Sequence, residues 1–220
     1  TIKPDNIDFI QFKDHLHSFI KIPNVKYVNS NVELEDNELI GNLIIEIPII
    51  CNKNLDIKNA IIFFTPKGKI TFTEEISVKI IKIDAINSEF IFDKCNNIVV
   101  TDSTFKNNKN KRPLSYNCCQ NGIIEKSNFE NCDLFFNKNK TEINAKKDSG
   151  SAIYAYKSNI NFKKNCFDKC FANYNGGAVY IYDEYDSSEY WNKDIKRLNI
   201  SECTFNKCSS NFGDGGLLFI

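Results

Sequence analysis

Nine cysteines, two histidines, a few aspartates and one stretch mixing acids with aromatics are the parts of this 220-residue sequence that could do chemistry. Glycoside hydrolysis needs two or three carboxylates gathered on one face. Asp93, Asp102 and Asp133 are the candidates, yet Asp93 falls inside a recurring turn motif and the other two share no repeated pattern. Lyase chemistry asks for calcium-binding acids beside a basic side chain. The only arginines are Arg112 and Arg197, and both fall in segments that read as inserts. His15 and His17 stand two residues apart, which puts them on different sides of a helix and leaves no histidine-based triad or zinc site. No catalytic residue and no metal site are expected.

The cysteines are Cys51, Cys95, Cys118, Cys119, Cys132, Cys166, Cys170, Cys203 and Cys208. None has the Cys-x-x-Cys spacing of a zinc knuckle. Cys166 with Cys170, and Cys203 with Cys208, could bridge locally, but an odd count leaves at least one thiol unbridged within the chain. Reduced thiols acting as small apolar side chains are the favoured expectation.

Tyr182-Asp-Glu-Tyr-Asp-Ser-Ser-Glu-Tyr-Trp191 is the candidate binding segment, because tyrosine and tryptophan supply contact area at a low cost in entropy. Tyr182, Tyr185, Tyr190 and Trp191 are its contact residues; the alternative is a solvated insert whose rings lie on the neighbouring strands. Asp183, Asp186 and Glu189 could take calcium, the one cofactor suggested, although the run lacks the spacing and glycine of an EF-hand. Asn139-Lys-Thr and Asn199-Ile-Ser are glycosylation sequons, meaningful only in a secreted eukaryotic chain.

Lys plus Arg and Asp plus Glu number 28 each, so no net field favours nucleic acid or an anionic membrane. Apolar residues at 42% and charged ones at 25% describe a chain that folds. The longest apolar run, Leu43 to Ile50, is broken by Glu46 and Pro48, and no membrane span is expected. The absence of methionine and the apolar ending at Ile220 suggest a fragment of a longer protein.

Asp5 to Ile20 carries apolar residues at helical spacing and is expected to form a short capping helix within an N-terminal segment, 1–37. From Glu38 onward the pattern shifts to short β-branched and aromatic runs: Leu43–Ile50, Ala60–Phe64, Lys69–Phe72 and Val78–Ile83. The turn-like residues between them are too few for crossover helices. Residues 38–220 form the second unit.

Internal repetition selects the architecture. Phe92-Asp-Lys-Cys95, Phe105-Lys-Asn-Asn108, Phe129-Glu-Asn-Cys132, Phe167-Asp-Lys-Cys170 and Phe205-Asn-Lys-Cys208 repeat one pattern. Gly150-Ser-Ala152, Gly176-Gly177-Ala178 and Gly215-Gly216-Leu217 each open an apolar strand in which aromatics alternate with small or aliphatic residues. The polar stretches Lys138–Ser149 and Asp183–Arg197 are surface inserts that leave the repeat intact on either side. The predicted fold is all-β, a right-handed parallel β-helix with stacked inward Phe, a Cys column in which Asn108 bonds turn backbone or neighbouring amides, and glycines at tight turns.

The run Phe167-Asp-Lys-Cys-Phe-Ala-Asn-Tyr-Asn-Gly-Gly-Ala-Val-Tyr180 resembles the repeat of the polymorphic outer membrane proteins, which pair Phe-x-x-Asn with Gly-Gly-Ala-Ile/Leu/Val. The resemblance spans Phe92 to Ile220, with Cys in place of Asn at four of five positions. It implies a β-helix of the pectin-lyase-like shape displayed on a cell surface or secreted, and a non-enzymatic adhesin that binds a host or environmental protein or glycan. A polysaccharide lyase or glycoside hydrolase of the same shape, or a structural spacer, are the alternatives.

Overall fold

In the computed structural model, residues 25–28, 37–134, 145–182 and 198–220 are described. The expected capping helix lies outside them, as do Tyr185, Tyr190 and Trp191. The regular structure of the described residues is strand joined by turns and bends, with one four-residue helix, α1 (Ala145–Asp148). No helix among them is long and apolar enough to cross a membrane.

Alternation of apolar and polar residues makes the strands, and positions that turn the chain end them. The smaller sheet holds seven strands in chain order: β3 (Pro48–Cys51), β5 (Lys69–Thr73), β7 (Phe90–Asp93), β10 (Leu114–Asn117), β13 (Ile153–Tyr156), β17 (Val179–Tyr182) and β21 (Leu218–Phe219). The larger sheet begins with β1 (Val25–Val28), β2 (Glu38–Ile45), β4 (Leu55–Phe64) and β6 (Ser77–Ile86). It then divides into two arms. One arm is β8 (Asn97–Thr101), β11 (Asn121–Glu125), β14 (Ile160–Lys163) and β18 (Asn199–Ser201). The other is β9 (Thr104–Lys109), β12 (Asn128–Asp133), β15 (Cys166–Asp168) and β19 (Thr204–Asn206), with short β16 (Phe171–Ala172) and β20 (Ser209–Ser210) beyond. β6 bridges the arms, pairing with β8 through Ser77–Ile81 and with β9 through Asp84–Ile86.

Every strand pairing among the described residues is parallel, and the chain leaves strands in both curled sheets on each pass. β1 belongs to this array although it lies inside the 1–37 segment. The apolar run expected over Leu43–Ile50 breaks at Glu46–Ile47, where the chain passes from β2 to β3.

Parallel register sets like above like. Phe105, Phe129, Phe167 and Phe205 are register partners in succession, and their rings stack at 5.0, 4.9 and 4.8 Å. The first three are fully buried, each worth roughly 1.5–3 kcal/mol of burial and roughly 0.5–1.5 more per ring pair. Phe92 differs from the expected alignment. It lies in the smaller sheet, in register with Phe72 and Tyr116, so Phe92 and Cys95 belong to another column. The four-residue pattern serves wherever a strand ends at a corner, and chain spacing does not tell one corner from another.

The backbone explains the pattern. The residue before each inward Cys or Asn has positive φ: Lys94 (58°), Asn107 (54°), Asn131 (52°), Lys169 (51°) and Lys207 (50°). Phe therefore points in, the next residue points out, the third turns the chain in the left-handed conformation, and the fourth points in again. A left-handed corner leaves amides and carbonyls off the strand ladder, and such groups are costly unless paired. The inward side chains pair them. Cys95, Cys119, Cys170 and Cys208 donate to the carbonyls of Phe72, Phe92, Phe129 and Phe167, one strand back, at 3.4–3.7 Å. Asn108 donates to Ser88 O at 2.5 Å. At a further corner, Ser103, Ser127 and Asn165 follow positive-φ Asp102, Lys126 and Lys164, and each accepts an amide hydrogen from the preceding layer. The columns are polar as well as small, which goes beyond the expected role of small hydrophobes. All nine cysteines are free thiols.

The glycine motifs stack on one another too. Gly150, Gly176 and Gly215 all have positive φ, at 62°, 56° and 64°. The amides of Gly150, Ser151 and Ala152 donate to Gly176, Gly177 and Ala178 carbonyls at 2.9–3.2 Å. A Cβ on Gly177 would fall on the carbonyl oxygens of Gly216 and Ser209.

Two measurements check this account. Lys126 is an exposed left-handed corner residue, so Lys126→Gly should stabilise the chain by about 0.5–1 kcal/mol, and Lys126→Val should destabilise it by about 1–2, in denaturant unfolding. Alkylation of the denatured, unreduced protein should add nine groups by intact mass; fewer would mean that bridges replace the thiol columns.

Candidate functional site: an aromatic face on the smaller sheet

Strand alternation gives the smaller sheet an inner and an outer face. Leu114, Ile153, Val179 and Leu218 share one inner column. The residues between them point outward, where polar side chains ordinarily stand. In register along the outer face run Ile50, Thr71, Ile91, Ser115, Tyr154, Tyr180 and Phe219. Beside them run Thr73, Asp93, Asn117, Tyr156 and Tyr182. From β13 onward, both outer columns become aromatic.

The rings are ordered on one another. Tyr154 stacks on Tyr180 at 5.8 Å and Tyr180 on Phe219 at 5.1 Å. Tyr156 stacks on Tyr182 at 6.0 Å, and Tyr182 lies 6.0 Å from Tyr180, joining the columns. Tyr154 and Tyr180 keep only 6% and 3% of their surface exposed, whereas Tyr156 and Tyr182 are half-buried, so the second column is the accessible one.

Arg112, in the connection between β9 and β10, lies over the Tyr154 ring with its guanidinium carbon 4.8 Å from the centroid. Its Nε donates to Gly150 O at 2.6 Å and its Nη2 to Ser149 O at 2.6 Å and Lys147 O at 3.3 Å. Burial pushes this guanidinium down to about 10, with Tyr154, Glu89 and the buried Asp148 opposing the shift. Arg112 was expected in an insert. It is half-buried there, and the neighbouring carbonyls give its fork of donors partners that water would otherwise supply. Lys157, a corner residue, sits 5.6 Å from the Tyr156 ring centroid.

Of the expected contact residues, Tyr182 is in this face, and Tyr185, Tyr190 and Trp191 are outside the described residues, with Asp183, Asp186, Glu189, Arg197, His15 and His17. Tyr154, Tyr156, Tyr180, Phe219 and Arg112 were not singled out. The alternation in Ala152–Tyr156 and Ala178–Tyr182 was their signal, since one parity must point away from the core. The candidate acids are not brought together: Asp93 is outward on β7, Asp102 turns a corner of the larger sheet, and Asp133 ends β12. Among the described residues no three His, Cys, Asp or Glu side chains form a group able to hold a metal. Comparison with protein-family models, with curated proteins and with solved structures finds no match.

Burial pushes the Tyr154 hydroxyl up to about 12, Arg112 opposing it. A phenol whose pKa rises on folding stabilises the fold fully below its unfolded value of 10 and loses that contribution as pH climbs through 12. Ultraviolet titration of the folded chain should show one tyrosine ionising near 12 that is missing in Tyr154→Phe, and that variant should lose less stability between pH 10 and 12.

Proposed function

We propose that the chain is part of a right-handed parallel β-helix, displayed on a cell surface or secreted, that binds a host or environmental protein or glycan without catalysing a reaction. Two curled all-parallel sheets visited in turn by each pass of the chain support the β-helix. Its hand follows from sterics, since crossovers joining parallel strands of one sheet are right-handed in roughly 98% of cases. The paired Phe-x-x-Cys/Asn and Gly-Gly-Ala motifs support membership among proteins resembling the polymorphic outer membrane repeats. The single observation that carries binding is the outward aromatic face.

Of the outward tyrosines, Tyr154 and Tyr180 are buried, whereas Tyr156 and Tyr182 remain half-exposed and add less to the core. Tyr156 and Tyr182 offer stacked, half-buried rings fixed on strands rather than loops, and thus contact area whose entropy is already lost. Asn117 and Asp93 continue the same column with hydrogen-bonding groups, which supplies polar recognition beside the apolar contact. The segment that follows Tyr182 directly in sequence carries Tyr185, Tyr190 and Trp191.

The purified chain, screened on a glycan array and a panel of extracellular proteins, should retain at least one probe, and Tyr156→Ala/Tyr182→Ala should weaken that retention by about tenfold or more. Retention unaffected by the double substitution would move the site elsewhere, and cleavage of an acidic polysaccharide in the presence of calcium would overturn the non-enzymatic reading.

A further inference from the structure

We infer that Arg112 is a positioning residue that begins the aromatic ladder, standing in for the ring that its own layer lacks. This rests on the proposal that the ladder is the binding face. Tyr154 stacks on Tyr180 through one side only. Its register partner on the other side is Ser115, too small to cover a ring. The Arg112 guanidinium fills that place, 4.8 Å from the Tyr154 centroid and 3.5 Å from Ser115 Oγ through Nη1. The stack thus runs Arg112, Tyr154, Tyr180, Phe219, a planar cation followed by three rings.

The same guanidinium ties the ladder to the chain that leads into β13. Its bonds to Lys147 O, Ser149 O and Gly150 O hold the C-terminal end of α1 and the glycine that opens the strand. Three carbonyls and one ring are satisfied by one planar side chain, which an ammonium could not reproduce, because a lysine offers a point charge without a fork or a stacking plane.

Lys111 supplies an internal comparison. It too is half-buried but faces the opposite way, donating to Thr65 O at 2.9 Å and Gly68 O at 2.7 Å beside Glu89 at 3.9 Å. Adjacent residues in one connection therefore clamp earlier strands through Lys111 and later ones through Arg112. Removing either costs a half-buried cation and its bonds, but of the two Arg112 is the one that touches the aromatic face.

The test is nitration by tetranitromethane, read tyrosine by tyrosine in mass spectra, with amide exchange at Gly150, Ser151 and Ala152. In the unmodified chain Tyr154 should resist nitration. Arg112→Ala and Arg112→Lys should each speed Tyr154 nitration and exchange at those amides by about tenfold, matching loss of a desolvated cation–ring contact. Lys111→Ala should leave both unchanged while lowering the denaturation midpoint. Should Arg112→Ala not fold, Arg112→Lys, which keeps the charge, still reads the effect. Unchanged nitration in both Arg112 variants, full rescue by lysine, or an equal response to Lys111→Ala would overturn the assignment. These readouts need no ligand, so a blank array would defeat the binding proposal while leaving the role of Arg112 decided.

Discussion

Parallel, in-register stacking at one strand spacing is the constraint on which everything else in this molecule depends. Each residue lies above its equivalent from the preceding pass, so any side-chain type chosen once must tolerate itself or its neighbour about 4.8 Å away. Flat rings meet that demand by stacking, as Phe105, Phe129, Phe167 and Phe205 do with planes only 7–9° apart. Charged side chains in the interior would repeat their desolvation cost at every layer, and among the described residues the interior strand columns carry none.

The corners show the same constraint acting on the backbone. A left-handed residue costs a non-glycine roughly 1–2 kcal/mol, yet lysine, asparagine, aspartate and glutamate occupy these positions repeatedly. The turn is tolerated because the residue behind it repairs the hydrogen bonding that the turn disrupts. Ser103, Ser127 and Asn165 accept amides from the layer before, and the thiols of Cys95, Cys119, Cys170 and Cys208 give their weak hydrogen bonds to carbonyls. Serine, asparagine and cysteine interchange along a column because all three are short and carry a polar atom at nearly the same place. The thiol–thiol contacts shift the titration of the pairs apart: the bond to Cys119 raises Cys95, and its counterpart lowers Cys119.

Much of this was legible in the sequence because repetition exposes equivalence without any knowledge of geometry. Phe129, Phe167 and Phe205 could be aligned from their spacing, and so could Gly150, Gly176 and Gly215. What spacing could not supply was the identity of the corner. Phe92-Asp-Lys-Cys95 matches Phe167-Asp-Lys-Cys170 letter for letter, but its strand lies in the smaller sheet, where Phe72 and Tyr116 are its neighbours. A motif that describes a bend is blind to which bend it describes. Arg112 was misjudged for a related reason: a lone charged residue in a polar stretch looks solvated until the carbonyls of residues 35–38 positions away are seen to enclose it.

The same reasoning separates what the interior needs from what the surface adds. Inner columns of the smaller sheet run through isoleucine, phenylalanine, leucine, valine and alanine, with Cys51 and Tyr116 in the same column as Phe72 and Phe92. Outer columns are under no such demand, and over their first half they carry threonine, isoleucine, serine, aspartate and asparagine in the mixture expected of a wet face. From β13 onward tyrosine takes both outer positions in successive strands, and the half-buried Arg112 guanidinium lies over the first ring of the ladder, Tyr154. Burial accounts for the inner of these two columns, since Tyr154 and Tyr180 keep only 6% and 3% of their surface exposed. The half-buried column of Tyr156 and Tyr182 is where the proposed binding role applies, because rings already ordered on strands would meet a partner with their conformational entropy spent in advance.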